Sequence, residues 1–477
     1  MKKIIAVVLM LALLSVASFC VIGTAVSEER GNVTLRETVL YGDKSYAEGV
    51  SVCTRAHYDD HLFWNTTYTI GEENTALTEY EFSYTEQYPY RDKIHRGITM
   101  DVYLIYGYSL SIPYEECVGL QKAYRELYDE TPEGGVGRKL IRLQDYYDYY
   151  PVRVSFDLPG VVWQGIDYDL LGVRGEDERA VWDAFNDFFR IPIPENLPAF
   201  EITITKGHNS VGTGSSGLGT DYWFNSCSAY TSDRVFFSIS NRLKGNTDPY
   251  VDTSLIPGGY GVYSVAYENA QTDAHTKENA TVLPSGYETG IKADTLAMVF
   301  PLEQHVEVVR MSVADNESKL LLFTREDGIT YLTVIDIASM TEIQKMRVTE
   351  ETHYTFFEYD NCIVLNGWDD VSVIEKQADG LCRLAFTVPR MKEINDSNLQ
   401  KGVATTMAFD GDRLVIVDRT GDEIYPSLEL CGFTVAVYNS TGLVFYAEYK
   451  SSLSASRNPN DYAYNCLPIE YTVRWNE

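Results

Sequence analysis

Apolar residues in the C-terminal half of the chain come in short runs, each cut off by a cluster of turn-forming residues. Residues 319–325 (KLLLFTR) read as an apolar strand, Glu326-Asp327-Gly328 as a turn, 330–337 (TYLTVIDI) as an alternating strand, and 341–348 as the strand that closes the set. The theme recurs over 354–359, 362–366, 371–376 and 381–388, with breaks at 360–361, 367–370 and 379–380. It recurs again over 404–409, 413–418, 433–438 and 443–449, with Asp410-Gly411-Asp412 and 439–442 as turns. These breaks use Asp, Asn and Gly, which tolerate positive φ. Groups of about four strands repeating every roughly 40–60 residues have the period of a propeller blade. One such sheet cannot bury both of its faces, so neighbours must stack on it.

Upstream the rhythm continues less regularly. Residues 222–229, 234–240 and 261–267 read as strands of a further blade, and 296–300 and 305–313 lead to the next. Further strands are expected at 49–55, 62–69, 80–84, 99–106, 139–143, 152–158 and 199–205. Two segments read as helices, 114–128 and 176–190. The second (EDERAVWDAFNDFFR) places Val181, Trp182, Phe185, Phe188 and Phe189 where a helix packs an aromatic stripe on the sheets; Pro192 and Pro194 then end it. The Gly/Ser-rich stretch 207–219 reads as a loop and the best internal boundary. The final run 469–475 (IEYTVRW) reads as a strand that completes the first blade and joins the ends of the ring. The expectation is an all-β, β-propeller-like body over 36–477, with about 6–8 blades, clearest over 206–450, and short helical insertions.

The strand–turn rhythm of 319–450 resembles β-propeller repeats of the tryptophan–aspartate or quinoprotein kind, without their signature residues. Separately, 41–49 (YGDKSYAEG) and 61–69 (HLFWNTTYT) are similar to segments of uncharacterised exported bacterial proteins with one N-terminal membrane segment. That second resemblance covers the first third of the chain and implies export, not an activity.

The N-terminus agrees with export. Lys2 and Lys3 precede an uncharged stretch over 4–25, the layout of a signal peptide or a membrane anchor occupying 1–26. Gly23 and Ala25 allow cleavage before Val26, and Cys20 lacks the small preceding residue of a lipoprotein signal. The expected location is extracytoplasmic, secreted or held to the membrane by this segment alone. A net charge of −30 argues against nucleic acid and anionic lipid as partners. An aromatic content of 13%, with 36 Tyr, is that of a packed protein rather than a disordered one. Seven cysteines follow Cys20, an odd number with no CxxC spacing, and most read as small buried hydrophobes. Cys362 and Cys382, expected on neighbouring strands, are the pair most able to bridge.

Candidate chemistry is sparse. GTGSSG at 212–217 fits a dinucleotide-binding glycine pattern, but it lacks the strand-to-helix context and reads as a loop. Cys53, His57 and His61 are four apart, yet they fall on a hairpin rather than a helix, so no metal site is assigned. Neither HExxH nor GxSxG occurs. Acid-rich turns such as 410–412 admit calcium as a cofactor, without a complete calcium loop. Asp369-Asp370, and Asp145 beside the tyrosine-rich 146–150, are the acids that stand out for glycoside chemistry. Trp223, Trp368 and Tyr425, with Asp369 and Asp370, are the candidate ligand-binding residues: exposed aromatics stack on sugars or anchor protein partners. The function expected is a non-catalytic binding or scaffolding protein of the cell envelope, with a protein or glycan at the cell surface as partner. The alternative is an extracellular carbohydrate-active hydrolase or lyase that uses paired carboxylates.

Overall fold

The computed structural model of the chain describes residues 10–18, 20–21, 35–58, 62–82, 95–104, 114, 117–161, 163, 176–197, 199–207, 211–216, 222–224, 227–243, 249–269, 288–390, 405–420, 432–451 and 468–476. Residues 10–18 are helical, and among the described residues no helix is long and apolar enough to cross a membrane. The chain divides into two compact units, 1–92 with 351–477, and 93–350.

The strands, in chain order, begin with β1 (Leu35–Gly42), β2 (Val50–Tyr58), β3 (Leu62–Thr69) and β4 (Thr75–Phe82) of the first unit. The 93–350 unit supplies β5 (Gly97–Val102), β6 (Val136–Ile141), β7 (Val152–Asp157), β8 (Phe200–Lys206), β9 (Val211–Ser216), β10 (Cys227–Tyr230), β11 (Arg234–Ser238), β12 (Gly261–Tyr267), β13 (Ile291–Pro301), β14 (Glu307–Ala314), β15 (Lys319–Glu326), β16 (Ile329–Asp336) and β17 (Thr341–Thr349). The first unit resumes with β18 (Tyr354–Glu358), β19 (Cys362–Gly367), β20 (Asp370–Lys376), β21 (Cys382–Pro389), β22 (Thr406–Phe409), β23 (Leu414–Thr420), β24 (Gly432–Asn439), β25 (Gly442–Ser451) and β26 (Pro468–Trp475).

The fold is all-β and propeller-like. Four sheets run as antiparallel meanders through consecutive strands: β10 to β13, β14 to β17, β18 to β21, and β22 to β25. A fifth joins β26 to β2, β3 and β4, so the last strand of the chain lies beside one of the first. β1 adds to the free edge of β25. The two ends of the chain are thus exchanged, each completing a sheet built from the opposite end. Two smaller sheets, β5-β7 and β6-β8-β9, lie in the 93–350 unit.

Local chemistry sets these hairpins. Glu326 faces Ile329, leaving Asp327 (φ 50°) and Gly328 (φ 81°) as a two-residue turn with both φ positive, the geometry that follows strand twist. In the 351–477 segment the inner strands are buried on both faces, and alternation divides them between two cores. Leu414, Ile416, Ala436, Tyr438 and Tyr446 face one core together with Cys362, Val364, Val371, Val373 and Phe386 of β19–β21. Val415, Val417, Phe433, Val435, Val437, Phe445 and Ala447 face the other, with Val50, Val52, Tyr68 and Tyr471. The β22–β25 sheet is therefore packed between its two neighbours within the first unit.

In the 93–350 unit, Phe236, Val262, Met311, Leu320, Leu322 and Ile335 pack the β10–β13 and β14–β17 sheets together. Helix α1 (Leu120–Glu130) and helix α2 (Glu176–Phe188) cover the smaller sheets. α1 starts six residues later than its sequence pattern suggests, at Gly119 with φ 51°. In α2, Val181, Trp182 and Phe185 are buried, with Phe189 just beyond its end, and the Trp182 indole Nε1 donates to the Val154 carbonyl (2.8 Å).

Two readings are corrected. The Gly/Ser-rich stretch expected to be a loop contains β9, paired residue for residue with β8; small side chains do not prevent ladder pairing where the partner strand supplies the apolar face. Cys362 is a thiol and is not bridged to Cys382. The two cysteines lie on β19 and β21 with β20 between them, opposite Glu375 and Lys376 respectively. Two strand spacings amount to about 9–10 Å, beyond disulfide reach. Burial pushes the Cys362 thiol up to about 12, so it behaves as an inert core residue.

Gly42 at the end of β1 has φ 76°, and a Cβ there would collide with the Val444 carbonyl. Gly328 has φ 81° with nothing within 4 Å of the same position. Gly328→Ala is expected to cost about 1–2 kcal/mol from backbone conformation alone. Gly42→Ala is expected to cost clearly more, because β1 must also move off β25. Denaturant unfolding of the two variants checks the order.

Candidate functional site

The core between the β18–β21 and β22–β25 sheets is apolar along most of its length and turns polar at one end. This is the end at which β19 turns into β20, β21 leads off towards β22, and β23 leads off towards β24. Strand alternation brings the polar residues there. On β19, Cys362 and Val364 are followed on the same face by Asn366; on β21, Phe386 and Val388 are followed by Arg390; on β23, Leu414 and Ile416 are followed by Asp418. Thr405, one step before β22, meets Asp418.

Asn366 is 4% exposed, and among the described residues neither its amide nitrogen nor its amide oxygen has a hydrogen-bond partner. It stands opposite Val371, which stands opposite Val388, so the amide ends a row of valines. Arg390 bonds back over this row: its Nη1 donates to the Gly367 carbonyl (2.8 Å) and its backbone N–H to the Asp369 carbonyl (2.9 Å). Asp418, on the facing sheet, is 8% exposed and accepts from the Thr405 hydroxyl (2.6 Å). Burial raises the Asp418 pKa above its ordinary 3.8, against the pull of the Thr405 bond and the Arg390 charge. Burial likewise lowers that of Arg390, with Tyr438 and Asp418 acting in the opposite sense. Thr434 and Glu448 continue the Asp418 row across β24 and β25, and Glu448 pairs with Lys450 at 3.3 Å.

The rim beside this polar end is the β19–β20 turn. Glu351 braces it: one carboxylate oxygen accepts from the Thr352 and His353 N–H groups (2.8 and 2.9 Å), the other from the Asp369 N–H (2.9 Å). Gly367 is required there, since a Cβ would sit 2.6 Å from Glu351 Cγ and 2.9 Å from the Asp370 carbonyl oxygen. The turn holds Trp368 outward, 62% exposed, with its indole stacked on the His353 ring at 5.4 Å and 25°.

Trp368, Asp369 and Asp370 thus share one turn, Asp369 tied to Glu351 and Arg390 through its backbone and Asp370 opening β20 opposite Pro389. Trp223, 65% exposed between buried Tyr222 and Phe224, belongs to the 93–350 unit and is not part of this group. Tyr425 lies outside the described residues. Asn366, Arg390, Asp418, Glu351 and His353 are the members that sequence inspection passes over.

Other candidates are occupied differently. Cys53 and His57 lie on the extended β2, where four residues span about 13 Å, and His61 lies outside the described residues. In the Asp410–Asp412 turn the Asp410 carboxylate accepts the Asp412 and Arg413 N–H groups and the Arg413 guanidinium at 2.8 Å, so a guanidinium stands where calcium would bind. Among the described residues no group of three or more His, Cys, Asp or Glu is placed to hold a metal ion.

No family model matches the chain, and no curated protein is detectably similar to it. Among solved structures it is similar to a chain of the mitotic checkpoint complex, at 9% identity and TM-score 0.22 over 51% of this chain and 53% of that one. It thus spans about half the length of that relative. It is also similar to the Cps50 (Swd1) β-propeller domain of Myceliophteria thermophila, at 9% identity and TM-score 0.22 over 52% and 82%. TolB from Acinetobacter baumannii is similar at 7% identity and TM-score 0.23 over 90% and 83%. Likenesses this distant carry nothing about the site; the fold is read from the strand order itself.

Asp418→Asn keeps an acceptor for Thr405 and removes the titration. Because the folded-state pKa is raised, the folded protein holds this proton more tightly than the unfolded chain does. The stability from this site is then lost as pH rises through the folded value. The melting temperature of wild type relative to Asp418→Asn is expected to fall as pH rises above about 4, the ordinary range of an aspartate. A pH-independent difference would show that Arg390 cancels the burial.

Proposed function

We propose that the chain is a non-catalytic, exported binding protein of the cell envelope, whose ligand-contact surface is the polar end of the β18–β21 and β22–β25 sheets with the Trp368 turn on its rim. The observation that carries the reading is a large aromatic side chain held outward on a braced turn, beside a buried polar layer in which the Asn366 amide is unmatched among the described residues. Rigid aromatic anchors beside desolvated polar groups are the usual makings of a recognition surface. Lys2 and Lys3 ahead of the uncharged 4–25 support export. The acidity of the chain supports a neutral or cationic partner over nucleic acid.

The hydrolase or lyase alternative has Glu351 and Asp370 as its acid pair, since both lie against Gly367. Glu351 spends both oxygens on backbone N–H groups. A carboxylate held in this way braces the turn and leaves neither oxygen free of a backbone partner.

Two measurements test the reading. In intact cells expressing the full chain, externally added protease is expected to digest the body; full protection would contradict export. The purified full chain is expected to bind intact cells saturably, and Trp368→Ala to weaken binding by roughly tenfold or more. Leu77→Ser, at an exposed position on β4, is expected to change nothing. Undiminished binding by Trp368→Ala would remove the proposed surface.

A further inference from the structure

Among the described residues Asn366 is the amide whose donor and acceptor are both unmatched, although it is 4% exposed. A buried amide without partners is costly, and an apolar side chain of the same size would pack in its place at no such cost. Its position beside Arg390 and across from Asp418 points to a bonding partner that the described residues do not supply.

The three side chains restrict what that partner is. Arg390 offers only donors, Asp418 offers acceptors, and Asn366 offers both. An anionic group suits Arg390 and the Asn366 nitrogen but meets Asp418 and, two strands further along the same row, Glu448. A cationic group suits the acids but meets Arg390. A hydroxyl donates and accepts at once, so neighbouring hydroxyls can bond to all three. Arg390 is the partly exposed member of the set, so a ligand would approach from its side. The carbonyl it bonds, that of Gly367, immediately precedes Trp368, so an exposed indole stands on the turn that Arg390 ties down. Polar groups for hydroxyls next to an indole for the apolar face of a ring are the two requirements of sugar recognition.

We propose that this end of the interface is a subsite for a neutral sugar, with adjacent hydroxyls bonded to Asn366 and Arg390 from one sheet and to Asp418 from the other. The proposal rests on the reading that this surface binds a ligand, and it names the ligand's chemistry.

The test is titration of the full chain, read by calorimetry and by melting temperature, with methyl glucoside, methyl galactoside and N-acetylglucosamine as neutral probes. Galacturonate serves as the anionic probe and alanine as the zwitterionic one. At least one neutral sugar is expected to bind saturably and raise the melting temperature. Asp418→Asn and Arg390→Met are expected to weaken it about tenfold or more. Asn366→Leu is expected to abolish the sugar-induced shift while melting at or above the wild-type temperature, which a merely structural amide would not do. Should that variant not fold, Asn366→Ala carries the same reading of the sugar shift. Binding of galacturonate or alanine alone, no binding by any probe, or a sugar shift that survives in Asn366→Leu would overturn the proposal. If it falls while Trp368→Ala still loses cell binding, the surface reading stands without the subsite. If Trp368→Ala binds cells normally, the surface reading falls by itself.

Discussion

The pairing of β26 with β2 is the contact on which the first unit depends. It joins Ser51 to Arg474 in an antiparallel ladder, and Ser51 to Asn476, 425 positions apart, through hydrogen bonds between their side chains. Without it the β2–β4 sheet would have three strands and an open edge, and open edges pair with whatever is available. β1 makes the reciprocal crossing onto β25. Because each end of the chain sits in a sheet made from the other end, neither sheet is complete until both have arrived. The Trp475 indole ties the ladder to the next sheet by donating to the Ala408 carbonyl (3.2 Å), and the Arg413 guanidinium lies 4.1 Å over its ring. Closure entropy grows only logarithmically with the length enclosed, so such a distant pairing is affordable once local meanders have formed.

Sheet stacking buries the inner strands. β24 has no exposed position because cores lie on both of its faces, and every residue of β19 is buried as well. A strand in such a position is apolar throughout, and any polar residue in it needs a reason. Asn366 and Asp418 stand at the ends of two such strands, and Arg390 reaches over from a third. The candidate site is therefore a by-product of stacking: it lies where two packed sheets run out of apolar side chains and the connecting turns begin.

Much of the C-terminal architecture was legible in the residues. The runs over 319–449 announced their strands because inner strands are apolar and their turns carry Asp, Asn or Gly, as at Asp327 and Gly328. The aromatic face of 176–190 announced α2 for the same reason, a period of burial matching the element. Less legible were β9, whose glycines and serines carry no burial pattern, and the start of α1, which is set by the positive φ of Gly119. Trp368 was visible as a break in the alternation, but its stacking on His353 and the bracing by Glu351 depend on contacts between segments. Asn366, Arg390 and Asp418 left a fainter mark. Each is a polar residue closing an apolar strand, a pattern that also describes ordinary strand ends, and only the register of two sheets shows that the three converge.

Hydrogen exchange resolved by residue in the full chain tests the closure most directly. Amides of β2 and β26 that face one another, at 50–56 and 468–475, are expected to be protected together and to open with the same free energy. Protection of β2 with β26 exchanging at the rate of an unstructured tail would contradict the account.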